Sequence, residues 1–78
     1  MNYIATFYTH SGAVKYQRYL KRKNITVELL PVPRKISSNC GIGARFAVEE
    51  GIKCYVSEDI EKLFQITEDG YKLVFAND

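Results

Sequence analysis

Cys40 is the residue of this chain best placed for covalent chemistry. It closes the run Pro31-Val32-Pro33-Arg34-Lys35-Ile36-Ser37-Ser38-Asn39 and is followed by Gly41. A thiolate is a strong nucleophile, and cations and backbone amides close to the sulfur favour that form. Arg34 and Lys35 supply positive charge close by in sequence. Ser37, Ser38 and Asn39 can bond the local backbone and set the shape of the loop. Two prolines stiffen its approach, and Gly41 permits a turn or the close approach of a ligand that a side chain would block. The other reading of the same spacing is a small residue packed beneath a loop, and spacing alone leaves both open.

Few other residues suggest chemistry. His10 falls between a predicted strand and a predicted helix, the end of a strand–helix unit where ligands often bind. There it could serve a thiol as base or proton donor, or sit as a polar residue flanking the helix. Cys54 could resolve an oxidised Cys40 if the two came within disulfide reach, but it reads better as a buried strand residue between Lys53 and Tyr55. Two cysteines and one histidine lack the spacing of a zinc site, so no metal is expected. There is no phosphate loop and no dinucleotide fingerprint, so no cofactor is expected. The paired carboxylates Glu49-Glu50, Glu58-Asp59 and Glu68-Asp69 are explained by turns and helix starts. The basic helix face with Tyr16 and Tyr19 reads as solvated surface, and no nucleic-acid partner is expected.

Bulk composition bounds these options. Seventy-eight residues make one small domain, 1–78, and 11 basic against 9 acidic residues is too balanced for a general polyanion binder. The basic residues are nonetheless clustered, at Lys15, Arg18, Lys21, Arg22 and Lys23. Two cysteines form no disulfide framework, which points to a reducing, cytoplasmic setting. Met1-Asn2 runs directly into a strand-like segment, so no secretory signal is expected. No apolar run is long enough to span a bilayer, so no membrane partner is expected.

The elements that must hold Cys40 follow from the pattern. Tyr3 to Thr9, rich in aromatic and β-branched residues, predicts a central strand. Ser11 is the expected N-cap of a helix running to Lys23, with Ala13, Tyr16 and Leu20 on one apolar face. Lys21, Arg22 and Lys23 complement its C-terminal dipole, and Asn24 can take the left-handed conformation that ends it. Ile25 to Leu30 predicts a second strand, ending or lying at an edge where Pro31 and Pro33 remove donors. A strand–helix–strand order this tight predicts a right-handed parallel unit.

After the loop, Ile42, Ala44, Phe46 and Val48 alternate as in a strand. A helix over the same residues would carry Gly41 and Gly43, which cost about 1 kcal/mol each. Gly51 to Val56 is ambiguous, with a short extended piece as one reading. Ser57-Glu58-Asp59 predicts a short helix with Ile60, Leu63 and Phe64 on its apolar side. Glu68-Asp69-Gly70 predicts a hairpin turn between Phe64–Thr67 and Tyr71–Phe75. The expected fold is α+β: a mixed sheet of about four strands with helices on one face.

At the cysteine loop the chain resembles the selenium/sulfur carrier-like family of small bacterial proteins. The residues that carry the resemblance are Pro31-Val32-Pro33-Arg34, Ile36-Ser37-Ser38, Cys40-Gly41 and Arg45-Phe46, with the opening strand and helix. It covers roughly Tyr3 to Phe46. It implies a ferredoxin-like or related β-α-β-β core. It also implies a thiol at Cys40 that carries sulfur or selenium as a persulfide or selenopersulfide, which requires the sulfur at solvent. Arg34 and Lys35 would then stabilise the anion, Ser37 and Ser38 hold the loop, Gly41 admit the donor and His10 assist. Donor and acceptor proteins would be the partners, and the edge strand near the prolines would allow a homodimer. Whether such a carrier counts as an enzyme is left open. The alternatives are a non-catalytic interaction module with a structural Cys40, and a redox sensor that uses Cys40 with Cys54. After Phe46 the chain departs from the family pattern of a long second helix and a final strand.

Overall fold

The protein is described by a computed structural model that covers residues 1–36 and 40–77. In chain order the elements are β1 (Asn2–Phe7), α1 (His10–Arg22), β2 (Val27–Pro31), β3 (Ile42–Ala47), a 3-10 turn (Ile52–Tyr55), β4 (Ile60–Thr67) and β5 (Gly70–Ala76). The strands form one sheet in the order β2-β3-β1-β4-β5. Every neighbouring pair is antiparallel. Among the described residues the architecture is therefore α+β, with five strands rather than about four, an antiparallel rather than mixed sheet, and one α-helix rather than several.

The expected parallel unit is split. β1 and β2 run in the same direction, but β3 lies between them and is antiparallel to both. β3 returns directly from β2 through the cysteine loop and takes the place beside β1. The β-α-β-β opening matches the expected core. A ferredoxin-like arrangement would continue with a second helix before the fourth strand. Here that connection holds only the 3-10 turn at Ile52–Tyr55.

The expected helix at Ser57 is a turn that feeds β4. The Ser57 hydroxyl accepts from the Asp59 amide at 3.3 Å, and the Ile60 amide donates to the Ser57 carbonyl at 3.2 Å. Ile60 and Leu63 mimic helical spacing because of a β-bulge. Phe7 pairs with Ile60 and Thr6 with Lys62, so Glu61 is the extra residue on β4. An extra residue shifts the pleat by one, which brings positions three apart onto the same face. Both Ile60 and Leu63 are fully buried as a result. The hairpin turn at Glu68-Asp69 is as expected, with longer arms.

The helix caps differ at one end. Thr9, not Ser11, is the N-cap: its hydroxyl accepts from the Gly12 amide at 3.0 Å. At the other end Asn24 adopts φ 62°. The Ile25 amide reaches the Leu20 carbonyl and the Asn24 amide the Lys21 carbonyl, each at 3.0 Å. This is a Schellman closure, and Ile25 packs onto the core as that motif favours.

Ala13, Tyr16 and Leu20 of α1 lie on Tyr3, Ala5 and Phe7 of β1 and Ala44 and Phe46 of β3. Tyr16 is the centre of this layer. Its ring centroid is 5.5 Å from that of Phe7 and 5.7 Å from that of Phe46. Rings at these separations add to simple area burial. No described helix is long and apolar enough to cross a membrane.

Candidate functional site

The sheet register explains how the cysteine loop meets the start of the helix. Thr6 near the end of β1 faces Gly43 near the start of β3. The chain leaving β1 for α1 and the chain entering β3 from the loop therefore emerge at the same end of the sheet. His10, the first residue of α1, is on one of these segments and Cys40 on the other. His10 Nε2 lies 3.0 Å from the Cys40 carbonyl oxygen. A carbonyl only accepts, so this nitrogen carries the hydrogen.

The loop is closed at its base. The Val32 amide donates to the Gly41 carbonyl at 2.9 Å, one step beyond the Pro31–Ile42 pair of the ladder. A turn follows, in which the Ile36 amide donates to the Pro33 carbonyl at 3.0 Å. Ile36 is buried and anchors the loop, while Arg34 and Lys35 at the turn are exposed. Gly41 is exposed with φ +75°, and a Cβ built there would meet nothing within 4 Å. Ser37 and Ser38, with Asn39, lie outside the described residues.

The Cys40 side chain is half-buried rather than fully presented to solvent. It packs against the rim of the core, and its thiol donates to the Ile42 carbonyl at 3.3 Å. Cys54 is the more exposed of the two. The expectation of a buried strand residue there fails because Ile52–Tyr55 coils into a 3-10 turn on the surface of α1. Tyr16 and Tyr19 donate their hydroxyls to the Tyr55 and Cys54 carbonyls, at 2.7 and 3.1 Å. Cys40 thus touches α1 at His10 and Cys54 touches it at Tyr19, positions separated by about 14 Å along the helix axis.

The model of the family described as "Putative Se/S carrier protein-like" matches residues 2–69. The chain belongs to this family. No curated protein and no solved structure matches it. The match to the carrier-like family continues past Phe46 through the 3-10 turn and β4. Sequence reasoning read Asp59 only as an acid at a helix start, whereas it flanks the other side of the first turn of α1. A Cβ built on Gly12 would stand 3.3 Å from Asp59 Cβ. The signal was present in the Ser57-x-Asp59 turn, but only the pairing of Phe7 with Ile60 brings that turn to the same end of the sheet as Cys40.

Proposed function

We propose that this protein carries sulfur or selenium on Cys40. The Cys40 thiolate attacks the outer chalcogen of a donor persulfide or selenopersulfide. The new bond to Cys40 forms as the bond to the donor sulfur breaks. The donor leaves as a thiolate and takes up a proton, so no outside oxidant or reductant is needed. An acceptor nucleophile then removes the outer atom and returns Cys40 to the thiol. Attack at sulfur in this way is ordinary thiol-exchange chemistry.

The observation that supports this reading best is the contact between His10 and the Cys40 carbonyl, made by a chain of the carrier-like family. It ties the backbone of the reacting residue to a helix end while leaving the histidine exposed. In this reading Arg34 and Lys35 offset the negative charge of the carried chalcogen, and Ser37 and Ser38 shape the loop. Gly41 keeps the approach clear of a side chain.

Incubation with a persulfide or selenopersulfide donor, followed by mass mapping, tests the proposal. A gain of one sulfur or selenium atom on Cys40 and not on Cys54 is expected. Equal, slow modification of both would overturn it. The half-buried sulfur and its bond to Ile42 favour a second reading, an interaction module in which Cys40 is a packing residue. Under that reading Cys40→Ala leaves partner binding intact and no adduct forms.

A further inference from the structure

α1 has a second exposed feature that the cysteine chemistry does not use. Ser11, Lys15, Arg18 and Arg22 recur at spacings of four, three and four, which places them along one side of the helix. All four are exposed. The stripe is about 17 Å long. Two adjoining depressions follow it and share Lys15 and Arg18. One, of about 380 Å³, begins at His10 and Ser11. The other, also of about 380 Å³, lies between the helix and the turn that holds Ser57 and Asp59. The helix contributes no carboxylate of its own. A strip of one sign beside a low-dielectric wall concentrates potential well beyond what a net charge of +2 suggests.

We propose that this outer face of α1, from Ser11 to Arg22, is where an acidic face of a partner protein docks. The stripe starts beside His10, so a partner seated on it reaches the loop of Cys40. Identifying that partner as a chalcogen donor or acceptor rests on the carrier reading; the docking surface itself does not.

Two observations favour a protein over a nucleic acid. Nucleic-acid strands are gripped by aromatic faces on which bases stack. Here Tyr16 is buried with its hydroxyl bonded to Tyr55, and Tyr19 is bonded to Cys54 with Lys23 Nζ 5.2 Å above its ring. Neither ring offers a free platform. Second, Asp59 lines the groove among the cations. A phosphate backbone would be repelled there, whereas a mixed protein surface can place a lysine or arginine opposite it.

The isotope-labelled full chain can be titrated separately with a short glutamate-rich peptide that carries one lysine, oligouridylate and sodium sulfate, with amide shifts followed by NMR. The peptide should shift the outer residues of α1 and Asp59. Lys15→Glu with Arg18→Glu should weaken it by about tenfold, and Arg34→Glu with Lys35→Glu by less than about twofold. Lys15→Gln with Arg18→Gln should fall between. Stronger binding of oligouridylate to the same residues would make this a nucleic-acid surface and overturn the proposal. Sulfate alone reproducing the shifts would reduce it to a small-anion site. Absent peptide shifts, or reversal without effect, would also overturn it. The carrier reading is checked apart from this, through the mass of Cys40 in wild type and in Lys15→Glu with Arg18→Glu. Peptide binding without any Cys40 adduct would keep the docking face and discard the carrier; an adduct without peptide binding would do the reverse.

Discussion

His10 holds the backbone of Cys40: its Nε2 is 3.0 Å from the cysteine carbonyl oxygen although thirty positions separate them. One hydrogen bond thereby links the first residue of the helix to the residue before Gly41. His10→Ala removes the donor. Because the bond is exposed, the cost in global stability should be small, about 0.5 kcal/mol by denaturant titration. The local effect should be larger. Faster exchange of the Gly41 amide and altered alkylation of Cys40, with Cys54 unchanged, are expected. Unchanged Cys40 alkylation would show that the bond does not restrain the loop.

Gly41→Ala tests backbone geometry without a packing term. No atom would touch the new methyl, but φ is +75°. The left-handed region costs a residue with a Cβ about 1–2 kcal/mol. Chemical denaturation should show a loss of that size. A variant as stable as wild type would mean the loop relaxes to negative φ.

Tyr16→Phe should destabilise the domain by about 1–3 kcal/mol, since the Tyr55 carbonyl loses its buried donor. The same hydroxyl governs alkaline behaviour. Burial, and then the neighbouring Tyr19 and Tyr55, push its pKa well above the ordinary 10.0. Above pH 10 the unfolded chain loses this proton while the folded chain keeps it. Folded protein then binds more protons than unfolded, and stability falls as pH rises. The contribution is fully present below pH 10 and is lost toward the higher folded value. Thermal melts above pH 10 should fall more steeply for wild type than for Tyr16→Phe.

Gly43→Val probes the centre of the sheet. A Cβ at this buried glycine would stand 3.1 Å from the Ala5 carbonyl oxygen and 3.2 Å from two atoms of the Ile4 side chain. Ile4 is itself almost completely buried. Overpacking of this kind costs about 1–3 kcal/mol, and β1–β3 pairing should weaken. Slower-exchanging amides of β1 becoming fast would report it; an unchanged melting temperature would refute it.

Asn24→Ala should cost about 1–2 kcal/mol, because Asn24 sits at φ 62° in the Schellman closure. Asn24→Gly should be neutral or better. Circular dichroism melts of the pair separate backbone strain from any contact of the asparagine side chain.

Local pattern determined a good part of this protein. The apolar face of α1, the left-handed residue after it, the end of β2 at Pro31, the alternation of β3 and the last hairpin are all written in neighbouring residues. The cysteine loop and the family were legible there too, because their signals lie within a few positions. Tertiary structure decided what depends on partners distant along the chain. The spacing of Ile60 and Leu63 fits a helix until β1 supplies a ladder and Glu61 becomes a bulge. The placement of β3 between β1 and β2 is a pairing choice that no local propensity encodes. That choice delivers Cys40 to His10 and, with β4, Asp59 to the first turn of α1. A site assembled at one end of a sheet is set by register, and register is a property of paired strands.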